Sequence, residues 1–247
     1  MTVSVLQSAT GFAAAGEVHD ATLGAGATAG NALLFCIGGD KDLGTITLTG
    51  FTQSVYLHTA NVSLLLAWAP AAGGETLISA SVTGANSGGS NVYLAELQDP
   101  DTAGAWEEKC TPGTSPDGGA TVTTKTSGTT GTIGALATGG AMAFAGFSVD
   151  SVMTSPAPSY TGGYTGIRSM STGVAEAGLW VANLAIAAAG GTTSTTIDRD
   201  PTVTGTVTAD QMAGGVIVLG RAAGGAPAVG PPSLPRIPRR LRAALVR

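Results

Sequence analysis

Short apolar runs set between Gly-rich turns, recurring about every 8–15 residues, constrain this chain more than anything else in it. Ala32-Leu33-Leu34-Phe35-Cys36-Ile37 is one such run. It needs a core to hide in, which excludes disorder along the body. Runs rich in β-branched, aliphatic and aromatic residues predict strands at Ala32–Ile37, Thr45–Leu48, Ser54–His58, Val62–Trp68, Thr76–Val82 and Asn91–Leu97. After a Gly/Thr/Ser-rich bridge they predict strands at Ala141–Val149, Gly178–Ala187, Thr193–Ile197 and Met212–Leu219. Val174–Ala189 is Ala-rich enough for a helix, but Trp180-Val181 and the closing Gly190-Gly191 favour a long inner strand. The 38 glycines show no three-residue period, so collagen is excluded. With only 11% charged residues, small side chains in this quantity fit tight turns and close contacts between layers.

The pattern occurs twice. Ala67–Thr76 aligns with Leu184–Thr193 at an offset of 117 residues, and Ala27–Phe35 aligns with Leu136–Phe144 at an offset of 109. Each half would supply strands with one apolar face, and the faces would bury each other. The expected fold is all-β, a two-layer antiparallel β-sandwich of jelly-roll type with an internal duplication. Residues 1–221 would form the body, in halves of about 1–112 and 113–221. One large sandwich is preferred to two side by side, because the bridge Thr111–Thr132 continues as Thr121-Val122-Thr123-Thr124, an edge-strand pattern.

Residues 222–247 differ in kind. Gly224–Pro232 reads as a linker stiffened by prolines. Two turns of helix are expected after Pro238, with Leu241, Ala244 and Leu245 on one face and Arg239 and Arg242 flanking it. The arm holds Arg236, Arg239, Arg240, Arg242 and Arg247 and no acid. The chain's net charge is −5, so removing those five positive charges leaves −10 on residues 1–221. A basic arm on an acidic body predicts protein docking through Arg236, Arg239, Arg240, Leu241, Arg242, Leu245 and Arg247. Nucleic acid is the weaker candidate partner, because the body would repel it.

Catalytic motifs are not found. His19, assigned to a loop, and His58, near a strand end, lack metal-ligand spacing, and neither a Gly-x-Ser-x-Gly elbow nor a phosphate-binding loop occurs. Glu75, Glu96, Glu107 and Glu108 are the carboxylates a β-sandwich glycosidase would need. Glu96 shares a strand face with Leu94, which favours a buried structural role. Asp99 with Asp101, and Asp198 with Asp200, sit where a calcium ion or a turn cap would use them. No catalytic residue, cofactor or metal is therefore assigned. Cys36 reads as a buried thiol, with a Cys36–Cys110 disulfide as the alternative. Trp68 and Trp180 are expected in the core. Trp106, beside two glutamates, is expected at the surface, and with Tyr160 and Tyr164 it forms a candidate loop for a sugar or protein ligand. The first residues, Met1-Thr2-Val3-Ser4-Val5-Leu6, lack the basic start of a secretory leader, and no run is long enough to span a bilayer.

The segments Ala29–Phe35, Leu65–Pro70 leading into Gly73-Gly74-Glu75-Thr76, and Val92–Leu97 resemble β-sandwich virion proteins of tailed bacteriophages, of the minor-tail or capsid-decoration type. Ala141–Ser148 and Gly190-Gly191 extend the likeness over roughly residues 10–221. The resemblance implies a non-enzymatic structural component of a virion, assembled in the host cytoplasm in many copies. Its expected partners are other virion proteins and copies of itself, with no membrane. A carbohydrate-binding or host-adhesion module on the virion surface is the alternative. The resemblance leaves the arm unexplained.

Overall fold

A computed structural model describes residues 3–13, 18–40, 42–83, 89–99, 104–150, 158–171, 177–198 and 211–223. The described elements are all strands. In the first half they are β1 (Ser4–Ala13), β2 (Val18–Thr22), β3 (Ala32–Asp40), β4 (Ile46–Thr47), β5 (Thr52–His58), β6 (Val62–Pro70), β7 (Leu77–Val82) and β8 (Ser90–Gln98). The second half follows with β9 (Trp106–Glu108), β10 (Gly113–Ser115), β11 (Thr124–Thr126), β12 (Ala141–Asp150), β13 (Ser159–Tyr160), β14 (Thr165–Ser171), β15 (Ala177–Ile186), β16 (Thr196–Asp198) and β17 (Met212–Arg221). Val174–Ala189 contributes strand β15, as its Trp-Val core and Gly-Gly close predict.

Two large antiparallel sheets have matching connectivity. The first runs β1-β8-β3-β6-β5, and the second runs β10-β17-β12-β15-β14 with β9 also on β17. Each half adds a three-stranded sheet, β2-β7-β4 in one and β11-β16-β13 in the other. Position by position the two halves repeat one strand order, and the fold is a layered all-β structure consistent with internal duplication. Because β9 pairs with β17, the second system draws on the chain from Trp106 onward.

Four sheets enclose three apolar clusters, and this differs from the single two-layer sandwich preferred on sequence. An outer cluster joins the first large sheet to its small one through Leu33, Phe35, Leu65 and Leu94 against Ala21, Ile46 and Ile78. A second outer cluster does the same in the other half, with Phe147, Trp180 and Val218 around Ile197. Between the large sheets lies the central cluster, where Leu34, Cys36, Leu64, Leu66 and Tyr93 meet Phe144, Leu179, Val181 and Ile217. Strands β3, β6, β8, β12, β15 and β17 are thus apolar on both faces. That is why they appear in the sequence as unbroken hydrophobic runs and not as alternating ones.

Strand facing also tests the two internal alignments. At an offset of 117, Leu64 and Val62 on the central face of β6 fall on Val181 and Leu179, also central. The 109 offset reverses the faces, since Phe35 points into an outer cluster and Phe144 into the central one. Ladder register gives the same result. Phe35 pairs with Ala67, whose equivalent Leu184 pairs with Ala143, one residue short of Phe144. Two phenylalanines in similar company drew the sequence alignment one residue out of step, and in a strand one residue changes the face.

Glycine sets how closely the large sheets approach. A Cβ on Gly38 of β3 would stand 2.8 Å from Leu179 Cβ and 3.1 Å from the Gly178 carbonyl oxygen on β15. On Gly146 of β12 it would be 2.6 Å from Leu66, and on Gly215 of β17 2.8 Å from Val55. All three face the central cluster. Gly38→Ala should therefore lower stability by about 1–3 kcal/mol in urea unfolding, the usual range for overpacking a core. Gly118→Ala, at an exposed position with nothing within 4 Å of the added methyl, should leave the midpoint nearly unchanged.

Candidate functional site: the end of the last described strand

The described residues end at Ala223, two residues past β17, and the side chains around that end form a polar constellation. In β9, Trp106-Glu107-Glu108, strand alternation sends Trp106 inward and Glu107 outward. Trp106 is only 5% exposed, and its indole N–H donates to the Gly30 carbonyl at 3.0 Å. The Arg221 guanidinium, last in β17, lies 4.5 Å over the Trp106 ring, and Nη1 donates to Gly104 O at 2.7 Å. Beyond it, the Ala222 N–H donates to Ala105 O at 2.8 Å.

Lys109 completes the clamp. Its side chain is 1% exposed, and Nζ donates to Glu107 Oε1 at 2.6 Å and to the Arg221 carbonyl at 3.0 Å. Glu108 turns the other way. It accepts from the Trp68 indole at 2.8 Å and from the Ser54 hydroxyl, linking the second sheet to the first. A cleft of about 390 Å³ opens here, lined by Glu107, Glu108, Lys109, Gly134, Ala135, Ala222 and Ala223. The ion pair among its lining residues is that of Lys109 with Glu107.

The sequence-predicted ligand loop takes a different form. Trp106 belongs to the core, against the expectation of an exposed side chain, because alternation and its hydrogen bond to Gly30 outweigh the polarity of its neighbours. Tyr164 is 6% exposed, and its hydroxyl bonds Thr193 Oγ1 at 2.9 Å. Burial pushes its phenol up to about 12. Tyr160 is half-buried, tilted against Phe147. These three residues therefore do not present an open aromatic groove. The docking residues Arg236, Arg239, Arg240, Leu241, Arg242, Leu245 and Arg247 lie outside the described residues, as do Asp101 and Asp200.

The other acids have structural partners. Glu96 is fully buried and accepts from Gln7 Nε2 at 2.6 Å, Thr28 N at 2.7 Å and Asn31 Nδ2 at 2.6 Å. Burial pushes its carboxyl up, but those hydrogen bonds outweigh burial and hold it below the usual range. Glu75 accepts the Ala72 and Gly73 amides at 2.6 and 2.8 Å and caps the Gly73-Gly74 turn. His19, expected in a loop, is buried on β2, where desolvation depresses its pKa, while His58 meets Asp42 at 3.1 Å on the surface. Both thiols are free, and burial pushes Cys36 far up. Among the described residues no group of three or more His, Cys, Asp or Glu side chains is placed to hold a metal ion. Comparison with protein-family models, curated proteins and solved structures returned no match.

Two outcomes follow. Trp106→Ala should cost about 3–5 kcal/mol in urea unfolding, whereas Trp106→Phe, which mainly forfeits the bond to Gly30, should cost about 1 kcal/mol. Glu96→Gln should cost about 1–3 kcal/mol at pH 7. Because the folded carboxyl titrates below its unfolded value, its contribution is complete above about pH 4.3 and lost as pH falls through the folded value. The gap between Glu96→Gln and the parent protein should accordingly close on acidification.

Proposed function

We propose that this protein is a non-enzymatic structural component of a tailed-bacteriophage virion, either capsid decoration or a minor tail protein, held to the particle by its basic C-terminal arm. In this reading each half is a jelly-roll sandwich, and the two halves make a stiff acidic body that carries the arm. The clamp at residues 104–109 and 221–222 is the observation that supports it most. Trp106, Lys109 and Arg221 fix the place where the arm begins, so force on the arm passes straight into β17 and the central cluster. An anchor needs such a root, whereas a dispensable tail does not. Five arginines leaving a body of net charge −10 favour a carboxylate-rich partner, a neighbouring virion subunit or another copy of this chain.

Deleting residues 224–247 keeps the clamp and removes the arm. The expected result is a folded body that no longer copurifies with the phage particle, while the full chain does so in a salt-sensitive way. Undiminished attachment after the deletion would refute the anchor. Binding of a glycan by both forms would favour the adhesion module instead.

A further inference from the structure

At ten residues β1 is as long as any strand among the described residues, and it ends the first large sheet. It pairs with β8 on one side, and among the described residues no strand pairs with the other. Natural sheets blunt such edges with charge, proline, bulges or short strands. The remaining edges of the large sheets follow this rule. At β5 the register shifts between Gln53 and Val55, Gln53 Nε2 donates to Ile46 O at 2.9 Å, and Ser54 is held by Glu108. β9 and β10 have three residues each, β9 with two glutamates. β14 shifts register between Gly166 and Arg168.

In contrast, β1 reads Ser-Val-Leu-Gln-Ser-Ala-Thr-Gly-Phe-Ala, with no charged residue and no proline. Like β5 and β14 it shifts register, near its start between Val5 and Gln7, so the contrast lies in its length and its regular, uncharged run from Gln7 to Ala13. Leu6, Ser8, Thr10 and Phe12 are exposed in alternation. At 47% and 43%, Leu6 and Phe12 are two of four large apolar side chains exposed among the described residues. The order of these side chains matters. Counted outward from Ala9, the strand meets a hydroxyl and then an apolar side chain in both directions, Ser8 then Leu6 and Thr10 then Phe12. A two-fold axis at Ala9 therefore sets Ser8 opposite Thr10 of a second copy, and Leu6 opposite Phe12 of that copy. Hydroxyl pairs and apolar pairs are the cross-strand partners that stabilise antiparallel sheets. The same axis matches odd positions with odd and even with even, so backbone groups turned outward on one copy meet groups turned outward on the other.

We propose that β1 pairs antiparallel with β1 of a second copy about a two-fold axis at Ala9, joining two large sheets edge to edge. A self-complementary patch of this kind is what a closed dimer requires. The inference rests on β1 alone and is independent of the arm.

Mass in solution of the full chain tests it, by sedimentation over a range of concentrations at about 0.15 M and about 1 M salt, where ion pairing through the arm is screened and strand pairing is not. A dimer present in both salts is expected. Ser8→Lys/Thr10→Lys, which opposes lysines at two symmetric places, should weaken it about tenfold or more. Thr52→Lys on the opposite edge should not, with circular dichroism confirming that each variant folds. Register is read from nearly isosteric variants. An equimolar mixture of Ser8→Cys and Thr10→Cys should form the mixed disulfide dimer faster than a mixture of Ser8→Cys and Thr52→Cys. A monomer at every concentration, a dimer indifferent to the lysines, or equal cross-linking in the two mixtures would overturn the proposal.

Discussion

The close contact between the two large sheets is the constraint on which the rest of the structure depends. Each large sheet is apolar on both faces. Its small sheet covers one, and only the other large sheet covers the second. Leu64, Leu66, Phe144, Val181 and Ile217 would face water if the halves separated, at a cost of about 1.5–3 kcal/mol for each fully exposed side chain. Gly38, Gly146 and Gly215 let backbone and side chains meet where any Cβ would collide. The unusual glycine content is in part a consequence of packing one repeat on another.

Much of this architecture is legible in the sequence, and the reason is burial. The strands covered on both faces appear as runs of Leu, Ile, Val, Phe and Ala, and all six were located within a few residues. The edges were not. β1 alternates Ser, Gln and Thr with isolated apolar residues, and β9, β10 and β11 are three residues each, so little periodicity remains to detect. Trp106 shows the same limit on a smaller scale. Its neighbours Glu107 and Glu108 suggest surface, but two of these three adjacent residues lie on one face of a strand and the middle one on the other. Glu108 and Trp106 both turn toward protein partners, leaving Glu107 on the outward side. The unbroken apolar runs also carried information on layering that the two-layer expectation did not use, since a strand in a single two-layer sandwich buries one face and alternates, whereas these strands are covered on both.

Polar residues inside this body work chiefly as joints. Glu96 ties the loop at Thr28 and Asn31 to β1 through Gln7, and Glu108 bridges Ser54 and Trp68. Lys109 and Arg221 hold the end of β17. The two contacts proposed above differ in their physics. Proposed docking through the basic C-terminal residues would weaken with salt, whereas proposed pairing along the uncharged edge of β1 would not. A body that is rigid between them can transmit position from one contact to the other.

That rigidity requires both halves to behave as one cooperative unit through the central cluster. Native-state hydrogen exchange, resolved for β3 and β6 in one half and β12 and β15 in the other, measures this directly. The account predicts that the slowest amides in all four strands exchange through the same opening, with equal free energy and equal denaturant dependence. Two distinct protection levels, one half opening while the other stays closed, would contradict it.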